Sequence, residues 1–249
     1  MITDDFSRDK AILVPADIYK ETGKYFKACI CTFSPLILDK LLALYPSRIV
    51  GHVGSVKGPV PIYAFEAGGK TIGAFSISIG SALAGTDLID LNHIAGADTF
   101  IVFGSAGALN REAIAGRYVI PTAAYRDEGF SYHYAPPADY IDIPGSEFTA
   151  GVFAELNAPF VLGRTWTTDA FYRETRAKLN KRVAEGCLTV EMEMAGLQAV
   201  SSFHGFKLYS FLQAGDVLDG EEYDISGLHD ANHDLAKLHI AVEIAKRVG

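Results

Sequence analysis

Apolar residues in this chain fall into short continuous runs and longer interrupted stripes, separated by breaks rich in glycine and proline. Continuous runs predict strands covered on both faces, and stripes recurring every three or four residues predict helices. Residues 11–14 read as a short strand stopped by Pro15, and Ser34 as the cap of a helix with Pro35 first and Leu36, Ile37, Leu38, Leu41, Leu42 and Leu44 following. Strands are expected at 48–56 and 61–66, with Gly68-Gly69 as a hairpin turn into a strand over 70–79. A helix over 83–95 ends at Gly96. Further strands are predicted at 99–103, 117–121, 160–167, 188–190 and 207–213. Further helices are a stretch from Ser146, read as its cap, through Asn157, a charged segment ending at Gly186, and a buried one from Met194 to Gly205. The terminal helix, 229–248, places Leu235, Leu238, Val242 and Ala245 on its inner face. Residues 125–134 are too polar and aromatic for a core, and 135–145, with three prolines, read as a surface loop.

A hairpin start followed by alternating strands and helices predicts an α/β fold, three layers with a central mixed β-sheet flanked by helices. With 249 residues, 49% of them hydrophobic, one domain spanning 1–249 is expected. No apolar run is long enough for a membrane helix, and the acidic start MITDDFSRDK does not read as a signal peptide. The three cysteines, Cys29, Cys31 and Cys187, form neither a disulfide framework nor a zinc motif, so a reduced, cytoplasmic setting is expected. A formal charge of −8 argues against nucleic-acid polymers as partners and leaves a small molecule.

Candidate chemistry gathers at strand ends. Glu191 and Glu193 stand between a strand and a helix, where open α/β sheets bind ligands, although first-turn glutamates also simply favour a helix N-terminus. Gly104-Ser105-Ala106-Gly107 reads as a small-residue turn whose backbone N–H groups and Ser105 hydroxyl could meet an anion, or as a tight turn without a ligand. Asp169 to Phe171 and Asp216 end two further strands. His229 and His233 have the spacing of a zinc helix but lack its glutamate base, so no metal is expected. Ser105 lies in no Gly-x-Ser-x-Gly elbow, and Gly80, Gly85 and Gly96 make no dinucleotide fingerprint.

These same positions carry a resemblance. Val190-Glu191-Met192-Glu193 with Ala195-Gly196, Gly104-Ser105-Ala106-Gly107-Ala108, and Thr168-Asp169-Ala170-Phe171-Tyr172 are similar to segments of the nucleoside phosphorylase and nucleosidase superfamily, in the same order. The resemblance implies the nucleoside-phosphorylase fold and cleavage of an N-glycosidic bond, with phosphate as co-substrate and no cofactor. It further implies a homo-oligomer, a dimer or trimer of dimers. By it, Glu193 and Met192 hold the ribose, Phe171 stacks on the base, and Gly104 and Ser105 face phosphate or water. Asp216 resembles the aspartate that assists departure of a purine, whereas Arg126-Asp127-Glu128-Gly129 with Ser131 and His133-Tyr134 resembles the uridine phosphorylase branch. The chain also departs from the family. Val14-Pro15-Ala16-Asp17-Ile18 replaces its arginine-bearing phosphate loop, and Val102 stands where it places a second arginine. A phosphate dianion needs compensating charge, for which Arg48, Arg126, Arg164 and Arg173 are the candidates. If none serves, water replaces phosphate and the enzyme is a hydrolytic nucleosidase; a silent nucleoside-binding protein is the alternative from another class.

Overall fold

The central strand is one that hydrophobic patterning did not pick out. In the computed structural model, which describes residues 6–20 and 22–248, Ala28–Thr32 forms β1 and is buried along its whole length. Its sequence, ACICT, is mostly small, and flanking strands rather than intrinsic preference make it extended. It runs parallel to β4 (Lys70–Ser76) on one side and to β5 (Thr99–Ala108) on the other. Residues 11–14, expected as a strand, are irregular and mostly exposed, and Pro15–Ile18 forms a helical turn, α1. Proline supplies no ladder N–H, and its fixed φ suits the first helical position. Residues 1–5 of the acidic N-terminal stretch lie outside the described residues.

β2 (Ser47–Val53), β3 (Val60–Ala67) and β4 form the expected antiparallel meander, with Gly68 and Gly69 at φ 59° and 76° in the tight turn. Ser34 caps α2 (Pro35–Leu44), its hydroxyl accepting from Ile37 N–H at 3.2 Å. β5 does not turn at Gly104. It stays extended to Ala108 because β10 (Lys207–Val217) pairs with it over that whole length. β10 also pairs antiparallel with β6 (Tyr118–Asp127), which lies parallel to β8 (Phe160–Thr168); β8 lies parallel to β9 (Cys187–Glu191), and β9 returns antiparallel to β5. Five strands thus close a ring, from which β1, β4, β3 and β2 extend; β7 (Tyr140–Asp142) pairs with β6.

Alternation along β5 feeds both faces of the sheet. Phe100 and Val102 pack with Leu88 and Leu91 of α3 (Ser81–Ala95) and Leu197 and Val200 of α7 (Met194–His204). Ile101 and Phe103 pack with Ile37 and Leu41 of α2, Phe153 of α5 (Ser146–Glu155), and Leu238 and Ala241 of α9 (Ala236–Val248). The result is an α/β fold with a large mixed sheet between helical layers. α4 (Arg111–Ile114) and α6 (Arg176–Ala184) complete the outer elements before α8.

Three local expectations fail for identifiable reasons. Gly145, not Ser146, precedes α5, and that helix stops at Glu155 short of Asn157, which adopts φ 52°. The terminal helix breaks into α8 (Leu228–His233) and α9 because Asp234 Oδ1 accepts Ala236 N–H at 2.8 Å and restarts it; Leu235 at the break is 47% exposed. Residues 125–134, expected to be too polar and aromatic for a core, nevertheless bury Arg126, Glu128 and Ser131. Among the described residues no helix is long and apolar enough to cross a membrane.

Candidate active site

A cavity of about 780 Å³ opens where β1, β5, β8, β9 and β10 end, walled by the residues after β8 and β9 and by α8 and α9. Its floor follows from the sheet. β5 is paired with β1 up to Phe103 and with β9 from Gly107, so the edge at Gly104, Ser105 and Ala106 is left between the two and lines the cavity. The predicted anion turn is therefore an extended edge.

Glu191 and Glu193 sit at one side with different environments. Glu191 Oε2 accepts Glu193 N–H and Met194 N–H at 2.7 Å each, and Oε1 accepts the Thr167 hydroxyl at 2.5 Å and the Thr165 hydroxyl at 3.4 Å. It anchors the first turn of α7 from within. Glu193 takes Gly80 N–H on Oε1 at 2.7 Å and faces the cavity. Gly80 stands at φ 89°, and the next residue, Ser81, gives both its N–H (2.9 Å) and its hydroxyl (3.0 Å) to Met192 O, so the β4–α3 junction fixes the Glu193 segment. Gly196 permits this approach: a Cβ there would lie 2.5 Å from Ser81 Cβ. Burial, and then repulsion from Glu191, push the Glu193 carboxyl up to about 8. Burial also raises Glu191, against the pull of its four donors. Glu191, with four donors to Glu193's one, is the better stabilised anion of the pair.

At the opposite side Phe171 and Tyr172 follow β8 in a short 3₁₀ turn, ring centroids 4.1 Å apart and both exposed at the mouth. Asp216, near the end of β10, accepts the Tyr223 hydroxyl on Oδ2 at 3.0 Å. Glu174 lies close by, its carboxyl pushed up to about 7 by burial and then by the charge of Asp216. Gly107 leaves space for this corner, since a Cβ there would meet Leu218 Cδ1 at 2.6 Å and Asp216 Oδ2 at 3.3 Å. Arg176 holds the loop beyond Asp216 through the Leu218 and Gly220 carbonyls, at 2.8 and 2.5 Å.

The third side is built by the C-terminal helices. Ser105 Oγ donates to Asn232 Oδ1 at 2.5 Å, Ser34 Oγ and His233 Nδ1 are 2.8 Å apart, and Lys237, fully buried, also lines the cavity. Burial lowers the Lys237 ammonium to about 8.

The cavity thus gathers Gly104, Ser105, Phe171, Met192, Glu193 and Asp216. None of the four candidate arginines lines it. Arg126 is buried in its own loop, donating to Ser131 Oγ (2.7 Å), Pro136 O (2.6 Å) and Ala135 O (3.3 Å) and lying over Tyr132. Arg164 donates to Glu185 O at 2.9 Å and covers Tyr140; Arg48 lies over Tyr25; Arg173 is exposed beyond Phe171. Val102 points into the core, and the segment around Asp17 forms α1, whose following Tyr19 bonds Asp90 of α3 at 2.9 Å. Sequence reasoning missed Ser34, Glu174, Asn232, Lys237 and Tyr223. Lys237 alone carried a signal, a charge on an apolar stripe four residues before Ala241.

The chain is similar to known proteins. The chain is 28% identical over 191 residues to a uridine phosphorylase of Treponema pallidum (strain Nichols), covering 70% of this chain and 72% of that one. It is 29% identical over 157 residues to a purine nucleoside phosphorylase DeoD-type of Exiguobacterium sibiricum, covering 60% and 65% respectively. A purine nucleoside phosphorylase DeoD-type of Bacillus cereus shares 26% over 181 residues, 70% and 71% of the two chains. The profile of the Phosphorylase superfamily matches residues 27–247, nearly the whole described sheet and both helical layers, and the chain belongs to that superfamily.

Proposed function

We propose that this protein cleaves the N-glycosidic bond of a nucleoside, with phosphate as co-substrate and no further cofactor. The observation that carries the reading is the juxtaposition, in one cavity, of a buried carboxylate at Glu193, an aromatic and acidic corner at Phe171 and Asp216, and a hydroxyl-lined edge at Ser105. In its ionised form, which the donated hydroxyls favour, Glu193 accepts the vicinal ribose hydroxyls with its carboxylate oxygens, each charge-assisted bond contributing about 1.5–3 kcal/mol. Phe171 covers the base. As the bond between C1′ and the base nitrogen breaks, its electron pair goes to the base, and a carboxyl of the Asp216–Glu174 corner donates a proton to it. A phosphate oxygen, held at the Ser105 edge, bonds to the ribosyl carbon from the opposite face and gives ribose 1-phosphate.

The names of the similar phosphorylases support phosphorolysis. Hydrolysis is favoured by one observation, that Arg48, Arg126, Arg164 and Arg173 all lie off the cavity. Incubating purine and pyrimidine nucleosides with and without phosphate, and assaying ribose 1-phosphate against free ribose, decides between them. Undiminished release of free ribose in phosphate-free buffer defeats phosphorolysis, and binding without any cleavage defeats the enzymatic reading.

A further inference from the structure

Lys237 is the anomaly of the cavity. It is completely buried in the first turn of α9, where the stripe formed by Leu238, Ala241 and Ala245 calls for an apolar residue. A buried ammonium is expensive unless an anion and hydrogen-bond acceptors compensate it. Among the described residues no carboxylate lies within ion-pair distance of its Nζ, and the one acceptor is the Ala231 carbonyl. An ammonium has three donors, so two are left for something the protein does not itself provide. The surroundings suit an oxyanion. The Ser105 hydroxyl is held to Asn232 and the Ser34 hydroxyl to His233, both on the helix that precedes Lys237, and the β5 edge at Gly104 to Ala106 lies beside them.

We propose that Lys237, delivered by the C-terminal helix, supplies the positive charge of the nucleophile site, so that a tetrahedral oxyanion such as phosphate binds between its ammonium and Ser105, whose hydroxyl turns from Asn232 Oδ1 to donate to the anion. This rests on the phosphorolytic reading for its role in turnover, but not for binding. An arginine-based site keeps its charge at every accessible pH, whereas a lysine held at low polarity loses it within the working range. The charge that bears on this ammonium is Asp234, which the Tyr118 hydroxyl reaches at 3.4 Å, and His233 lines the same cavity.

The test is calorimetric titration of the nucleoside-free protein with inorganic phosphate and with sulfate, on wild type, Lys237→Met and Lys237→Arg. The expected result is that Lys237→Met weakens phosphate binding at least roughly 30-fold, in line with loss of a charge-assisted hydrogen bond. Its nucleoside affinity without phosphate stays within about threefold, and Lys237→Arg recovers part of the phosphate affinity. If the variants fail to fold, wild type still decides. Sulfate keeps its charge as pH rises, so its affinity must fall about tenfold per pH unit once the ammonium titrates. Sulfate binding independent of pH, phosphate binding unchanged in Lys237→Met, or no binding of either anion to wild type each overturns the proposal. Anion binding that depends on Lys237 in an enzyme releasing free ribose leaves the proposal standing and removes phosphorolysis instead.

Discussion

Replacing Glu193 by glutamine separates the energy of the fold from the energy of the site, because the two respond with opposite sign. The isosteric amide keeps an oxygen for Gly80 N–H, now held at 2.7 Å, but turns an NH₂ toward the cavity where a carboxylate oxygen stood. Two hydroxyl contacts worth about 1.5–3 kcal/mol each are lost, which is roughly 10²–10⁴-fold in kcat/KM for ribonucleosides. Stability moves the other way. The carboxyl titrates near 4.5 when unfolded and is pushed up to about 8 when folded. The unfolded chain therefore releases its proton first, so wild-type stability falls as pH climbs from the lower value and levels off above the upper one. Glutamine has no proton to lose. Its advantage is absent at about pH 4.5 and reaches on the order of 5 kcal/mol above pH 8, a Tm gain of roughly 10–20 °C for a chain of this size. Thermal melts across pH and steady-state kinetics measure both. A variant that melts below wild type at alkaline pH, or cleaves ribonucleosides at the wild-type rate, refutes the reasoning.

Asp216→Asn is expected to slow purine nucleosides by about 10²–10⁴-fold while sparing nitrophenyl ribosides, whose leaving group needs no proton; equal losses on both substrates remove Asp216 from base departure. Glu191→Ala abandons four buried donors and is expected to lower stability by about 3–5 kcal/mol, read as a shifted urea midpoint; a midpoint equal to wild type contradicts its anchoring of α7. Arg126→Met strips its buried loop of three hydrogen bonds, so Tm drops while the KM for phosphate holds; a phosphate KM raised about tenfold with Tm intact reverses that assignment.

Much of the layered fold was legible because buried apolar strands such as β5 and amphipathic helices such as α9 announce themselves by pattern. β1 was not, since alanine and cysteine become a strand only when neighbours on both sides extend them. The turn expected at Gly104 failed for a similar reason: glycine permits a turn, but a partner strand more than a hundred residues later holds the backbone straight. Residues brought to the cavity by local motifs, Met192, Glu193, Phe171 and Asp216, were readable from their segments. Ser34, Asn232 and Lys237 were not, because they meet only through contacts between the first half of the chain and its last helices. The arginines illustrate the converse. Their charge suggested a ligand, and the protein had already committed Arg126 and Arg164 to carbonyls and rings of its own.

The closed ring has a consequence for the order in which the molecule matures during synthesis. β10 lies between β5 and β6 and pairs Lys207 with Thr99, so the ring cannot shut until residue 217 has left the ribosome. Pairings of such long range are slow to nucleate, and until then β5 and β6 expose unsatisfied edges to any neighbouring chain. α8, which follows β10, seats on Ser34 and Ser105 through His233 and Asn232. A premature stop just before Lys237 therefore costs more than one cavity residue, since it also removes the α9 side chains Leu238 and Ala241 that cover Ile101 and Phe103 and leaves that face of the sheet bare.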